Sequence, residues 1–148
     1  MSPDDPLARV FLESSMVARV ATRTPKGRPA MTPLWFLAHG GRLHLGTART
    51  SVVVRNVKAD PDVAVLLDLP GRAGGSDHLL QLRGRATVRE GIPSLPVLLG
   101  LARKYYLAGW RSEFAHARLW RLRTRYYAQA EGAVLQIEPL EAELVRRP

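Results

Sequence analysis

Between Met16 and Gly46 three apolar runs are separated by two turn signals, and this succession constrains the fold more than any other feature of the chain. Met16 to Thr24 is rich in β-branched residues and reads as a strand. Pro25-Lys26-Gly27-Arg28-Pro29 is a turn by composition. Ala30 to Leu37 reads as a second strand, with Pro33 marking an edge, a bulge or a bend within it. His39-Gly40-Gly41 then closes a hairpin into Arg42 to Gly46, which alternates apolar and other residues as a half-buried strand does. Three strands joined by such short turns form an antiparallel meander, because parallel neighbours need a crossover of a dozen residues or more.

The rest of the chain surrounds this meander with helices and further strands. Asp4-Asp5 before Pro6 is a helix start, and Leu7, Val10 and Phe11 give roughly helical spacing up to Met16. Ser51 to Ala59 is a helix or an extended segment, ended by Asp60-Pro61-Asp62. Val63 to Leu67 is a short buried strand, Leu69 to Asp77 a loop, and His78 to Glu90 a long alternating strand. From Ser94 to Ala130 the period is helical, with Gly109 dividing two helices. Ala133 to Glu138 is a last strand stopped by Pro139, with Ala142 to Val145 as an extension. Strands in hairpins with helices inserted between them predict an α+β chain, mainly β, built as an antiparallel sheet or barrel. With no repeat or linker in 148 residues, one domain over 1–148 is expected.

Composition removes several classes of function. The chain has no cysteine, which excludes disulfide scaffolds, zinc ribbons, iron–sulfur clusters and a cysteine nucleophile. The four histidines (His39, His44, His78, His116) lack metal-ligand spacing. No apolar run reaches the ~20 residues of a membrane span, and an acidic, proline-bearing N-terminus is unlike a secretory signal, so a cytoplasmic protein is expected. Nucleophile-elbow, zincin and phosphate-loop motifs are absent, and Gly71-Arg72-Ala73-Gly74-Gly75 lacks the lysine–hydroxyl pair of the last.

Two features point to an anionic partner, in keeping with a net charge of +9. The first is Thr47-Ala48-Arg49-Thr50-Ser51, at the junction of a strand and a helix start, followed by Arg55. Unpaired N–H groups at a helix N-terminus receive anions, Thr50 or Ser51 can cap it, and Arg49 and Arg55 can bind phosphate oxygens bidentately. An ordinary capped helix with solvated arginines is the plainer reading. The second is the stretch from Arg103 to Arg125, with seven basic residues and one acid, where Arg118, Arg121 and Arg125 share a helix face. A solvated arginine face, a wall for an anionic cofactor tail and a nucleic-acid contact all fit that stripe. No nucleic-acid motif accompanies it, so no nucleic-acid partner is expected.

Val17-Ala18-Arg19-Val20-Ala21-Thr22, Gly27 through Phe36, Thr47 to Arg49, Arg55 through Ala64 and Leu82-Arg83-Gly84-Arg85-Ala86 together resemble the pyridoxamine phosphate oxidase-like split-barrel superfamily. The resemblance covers residues 7 to 90 well and the remainder more loosely. It implies a six-stranded antiparallel split β-barrel of Greek-key type with flanking helices, forming a homodimer with cofactor sites at the interface. It further implies an oxidoreductase that moves a hydride between flavin mononucleotide (FMN) or the deazaflavin coenzyme F420 and a small organic substrate. The alternative it leaves open is a split barrel that binds flavin, deazaflavin or haem without turnover. By position Met31, Thr32, Pro33 and Leu34 would line the ring, and Thr47 and Ala48 would sit beneath it. Arg49, Thr50, Ser51 and Arg55 would take the phosphate. The superfamily's usual lysine two residues before the arginine is here Val53, and Lys58 or the Arg118–Arg125 stripe would have to replace its charge. No proton donor is assigned, and Tyr105, Tyr106 and His44 are the candidates.

Overall fold

The structure, a computed structural model, describes residues 1–69, 77–91, 93–107 and 132–146. Residues 70–76 of the expected Leu69–Asp77 loop, the break at Gly109 and the Arg118–Arg125 stripe lie outside those residues. Helix α1, Pro6–Ser14, starts where Asp5 accepts a hydrogen bond from the Leu7 N–H at 2.9 Å and Pro6 occupies the first turn. Strands β1 (Ala18–Arg23) and β2 (Pro29–Leu34) flank a turn in which Gly27 takes a positive φ of 79°. Strands β3 (Phe36–His39) and β4 (Arg42–Ala48) flank Gly40 and Gly41, both at positive φ, the arrangement of a primed two-residue hairpin turn. Helix α2 (Val52–Ala59) leads to β5 (Asp62–Leu67) and the long β6 (His78–Glu90). Helix α3 (Leu95–Ala102) runs into a π-helical turn, Arg103–Leu107, and β7 (Gly132–Arg146) completes the described chain.

All seven strands belong to one antiparallel sheet in the order β2-β1-β5-β6-β7-β4-β3. The two edge strands, β2 and β3, are consecutive in the chain with only Trp35 between them. Leu34 and Phe36 are therefore at most about 7–8 Å apart, given 3.8 Å per Cα step. A sheet whose opposite edges are held that close must curl back on itself. The result is the barrel with a split between β2 and β3. Among the described residues seven strands stand where six were expected, because the bend that Pro33 signals interrupts the run from Ala30 to Leu37 at Trp35 and divides it between the two edges.

The barrel interior is filled by alternate residues of every long strand, among them Val20, Phe36, Leu45, Leu67, Leu82 and Ile137. Helix α2 adds Val53, Val54 and Val57 to this core. Its valines lower helix propensity but form its apolar face, so burial outweighs local preference. Strand β7 also departs from expectation, since it continues through Pro139 to Arg146. Beyond Ile137 its partner β4 has ended and only β6 pairs with it, and a strand with one open side accommodates a residue without an N–H.

Candidate functional site

The site that the sequence marks is the junction of β4 and α2. Ser51 caps the helix: its Oγ accepts from the Val54 N–H at 3.5 Å and from the Thr47 hydroxyl at 3.2 Å. The turn is closed by the Ser51 N–H donating to the Ala48 carbonyl at 3.0 Å. Thr47, Ala48 and Ser51 are thus held by their own hydrogen bonds, while Arg49 and Thr50 at the tip are exposed. The first turn of α2 carries no acidic residue. Arg55 projects from the helix face opposite the buried valines. A helix start with two hydroxyls, two exposed guanidinium groups and no carboxylate is suited in charge and donor chemistry to a phosphate.

Strand β2, which carries the expected ring-lining segment, touches both β4 and α2. The pairing divides that segment between two faces. Thr32 and Leu34 lie opposite Val20 and Ala18 and share their inward face. Met31 and Pro33 lie opposite Ala21 and Arg19 on the outward face, where Met31 is 54% exposed. A ring on either face would meet two of the four residues.

Lys58 and Val53 also stand elsewhere than the phosphate reading needs. Lys58 lies in the last turn of α2, where its ammonium is 3.5 Å from Glu90. That is about 10 Å along the axis from the cap at 1.5 Å per residue. Val53 is fully buried in the core. A lysine there would place its charge inside the barrel, so valine at this position takes no cation away from the solvent face of the helix start.

The structure adds residues that local patterns do not single out. Asn56 is fully buried on α2 and donates through Nδ2 to the Thr22 hydroxyl of β1 at 3.1 Å. Its Oδ1 has no hydrogen-bond partner among the described residues. An asparagine between Val53 and Val57 on an apolar helix stripe is the sequence signal for such a tie. At the split, the Tyr105 hydroxyl lies 2.8 Å from the Met16 carbonyl and 3.0 Å from that of Phe36, and it accepts from the Phe36 N–H at 2.9 Å. Its ring stacks on Trp35 with centroids 4.5 Å apart. Beside it the Lys104 ammonium donates to the Phe36 carbonyl at 3.1 Å and sits 3.6 Å over the Phe36 ring. Burial lowers the Lys104 pKa to about 8.

Of the proton-donor candidates, Tyr105 is engaged with backbone at the split. His44 lies in the β3–β4 hairpin, its Nε2 3.1 Å from the His39 carbonyl. Burial is the main cause that lowers the His44 pKa, with the nearby His39 and Arg42 acting in the same direction against that hydrogen bond. Nothing is described of the Tyr106 side chain. Cavities bounded by described residues lie away from the helix start. One of about 290 Å³ separates α1 from the β3–β4 turn, and one of about 600 Å³ crosses the outer face of β1, β5, β6 and β7. No described helix is long and apolar enough to cross a membrane.

Comparison with known proteins agrees with this architecture. The chain is similar in structure to an F420 reductase, with 19% identity over 91% of this chain and 94% of that one and a TM-score of 0.63. It is likewise similar to a putative pyridoxamine 5'-phosphate oxidase from Listeria innocua, with 17% identity, coverage of 94% and 95%, and a TM-score of 0.60. A haem storage protein from Vibrio cholerae, HutZ, matches with 16% identity, coverage of 99% and 95%, and a TM-score of 0.62. No curated protein matches the chain significantly. At these identities the likenesses establish the fold, while the family model described as pyridoxamine 5'-phosphate oxidase matches residues 5–145. With nearly the whole chain inside that match, the protein belongs to the pyridoxamine 5'-phosphate oxidase family.

Proposed function

We propose that the protein is a homodimeric oxidoreductase that binds F420 or FMN and transfers a hydride between it and a small organic substrate. The observation that carries this reading is the capped start of α2, with exposed Arg49 and Arg55 and no acid in its first turn, on a helix that touches β2. Arg49, Thr50 and the first N–H groups of α2 would hold the cofactor phosphate, with Arg55 one turn along. Thr47 and Ala48 would support the ring, and β2 would form its wall. The cofactor supplies the redox chemistry when bound, and the chain supplies binding, orientation and exclusion of water. The structural likeness to an F420 reductase supports this reading at the level of the fold.

The test is fluorescence titration of the chain with each cofactor, repeated on the double variant Arg49→Ala/Arg55→Ala. Charge-assisted hydrogen bonds contribute about 1.5–3 kcal/mol each, so the double variant should bind about a hundredfold or more weakly. Its unfolding temperature without cofactor should be unchanged, since both side chains are exposed. Equal affinity in wild type and variant would remove the phosphate from this helix start. The likeness to a haem storage protein favours a second reading, a binding module without turnover. Under that reading no substrate speeds the reoxidation of the reduced cofactor.

A further inference from the structure

The outward face of the sheet between β1 and β7 carries opposite charges on its two sides. Strand pairing sets rows of outward residues across β1, β5, β6 and β7. One row is Arg19-Leu66-Gln81-Glu143 and the next is Ala21-Ala64-Arg83-Glu141. A further row is Asp62-Arg85-Glu138, with Arg23 continuing β1 on the same side. Strand β1 thus presents arginines and β7 presents glutamates, and every charged residue of these rows is exposed. The groove of about 600 Å³ runs across this face, lined by the small Ala21 and Ala64 and bordered by Leu140. Leu140 is 56% exposed, and Met31, beside Ala21 on β2, is 54% exposed.

Such a face is complementary to itself. A two-fold axis parallel to the strands, between β5 and β6, places β1 of one copy over β7 of the other and β5 over β6. Residues of one row then meet the same row, because aligned sheets keep their strand directions within about 30°. Arg19 faces the partner's Glu143, while Ala21 and Ala64 leave room for the long side chains of the partner's Glu141 and the partner's Arg83. Met31 comes within one strand spacing of the partner's Leu140, so two exposed apolar side chains leave water together. We propose that this face receives a second copy of the chain, an inference that rests on the homodimer proposed above and names its surface and pairing. Within one chain Arg19 and Glu143 stand about 14 Å apart across three strand spacings and form no ion pair. Enclosed between two sheets, such pairs are screened by salt less than the long-range repulsion of the net charges. They fix register more than they add affinity.

The experiment is sedimentation of the full chain with Arg19→Glu, with Glu143→Arg, and with both. Each single reversal sets like charges opposite one another at both ends of the contact and should weaken self-association about tenfold or more. The double variant should return to within about threefold of wild type, because the pair is restored with its sign exchanged. Net charge alone predicts otherwise: Arg19→Glu lowers the positive charge and would tighten association, and Glu143→Arg raises it and would loosen it. Opposite changes of that kind, or single variants that associate like wild type, would overturn this face and leave the homodimer standing on another. A wild-type chain that stays monomeric would overturn both and leave the face to a different partner. Because the chain has no cysteine, a short bismaleimide gives a second measurement if a reversal does not fold. Gln81→Cys, beside the axis, should be joined to its counterpart in the second copy, and Lys26→Cys, in the β1–β2 turn, should not. Cross-linking of Lys26→Cys in place of Gln81→Cys would overturn the assignment.

Discussion

The Tyr105 hydroxyl closes the gap that the split leaves in the backbone. The Phe36 N–H and C=O lie on the open side of β3, and the Met16 carbonyl precedes β1, so none of the three has a strand partner there. A single phenol serves all of them, accepting from the Phe36 N–H and offering its proton to the two carbonyls. Tyr105→Phe keeps the stack on Trp35 and removes these bonds, leaving a buried N–H unpaired. Urea unfolding should show a loss of about 1–3 kcal/mol, the cost of such an unsatisfied group. Lys104 makes a second prediction at this scale. Its folded pKa of about 8 lies below the ordinary 10.5, so the unfolded chain binds more protons between these values. Stability therefore rises with pH from about 8 to 10.5 through this group, and below 8 its penalty is fully present. The stability of wild type relative to Lys104→Met should increase over that window, and a constant difference would show that Lys104 is not desolvated. Neither role is legible in the local sequence. Tyr105 meets partners 69 and 89 residues away, and a periodic aromatic on a helix looks the same whether it fills a core or ties two backbones.

Elements formed by neighbouring residues were readable, and those shaped by distant pairing were not. The span of β6, His78–Glu90, follows from alternation alone, and the β3–β4 hairpin follows from Gly40-Gly41. The length of β7 does not, because Pro139 signals a stop unless one knows that the pairing of β7 with β4 ends at Ile137. Where β6 meets β7 the register shifts: Arg83 faces Glu141 and Gly84 faces Pro139, so Leu140 is the extra residue of a bulge. Gly84 is required by this close approach, for a Cβ there would collide with the Glu138 carbonyl oxygen and lie 3.2 Å from the Pro139 Cα. Backbone atoms inside a ladder cannot swing aside as a side chain can. Gly84→Ala should cost about 1–3 kcal/mol in denaturant unfolding, as overpacking does. The β3–β4 hairpin carries a further prediction through His44, whose pKa burial holds below 6.5. The unfolded chain then binds more protons just below pH 6.5, so stability falls with acid through this group. His44→Gln should flatten the decline in unfolding temperature between pH 6.5 and 5, and a parallel decline would assign the acid sensitivity elsewhere.

At the scale of the molecule, the covalent adjacency of β2 and β3 bends a seven-stranded sheet into a barrel, and α2 brings its valines into the core. This arrangement was not legible from periodicity, which reports faces and not neighbours; only the resemblance carried the split-barrel topology. The helix start at Ser51 was legible, because a hydroxyl cap between a strand and a helix is a local signal. The division of Met31 to Leu34 between two faces follows from period 2 once the pairing is known. Net charge allows a prediction about the proposed homodimer. Two copies at +9 each repel one another, and the screening length falls from about 30 Å at 0.01 M salt to about 10 Å at 0.1 M. Self-association of the cofactor-free chain should therefore tighten as salt rises over that range. Contact of the same charges with nucleic acid would weaken over it, as counterions are released. A phosphate-bearing cofactor seated between copies offsets part of the repulsion, so saturation with cofactor should flatten the salt dependence of the dimer. Sedimentation at two salt concentrations, with and without cofactor, measures both slopes of self-association. A chain that remains monomeric throughout at tens of micromolar, yet still binds cofactor, would place the site within one copy and not between two.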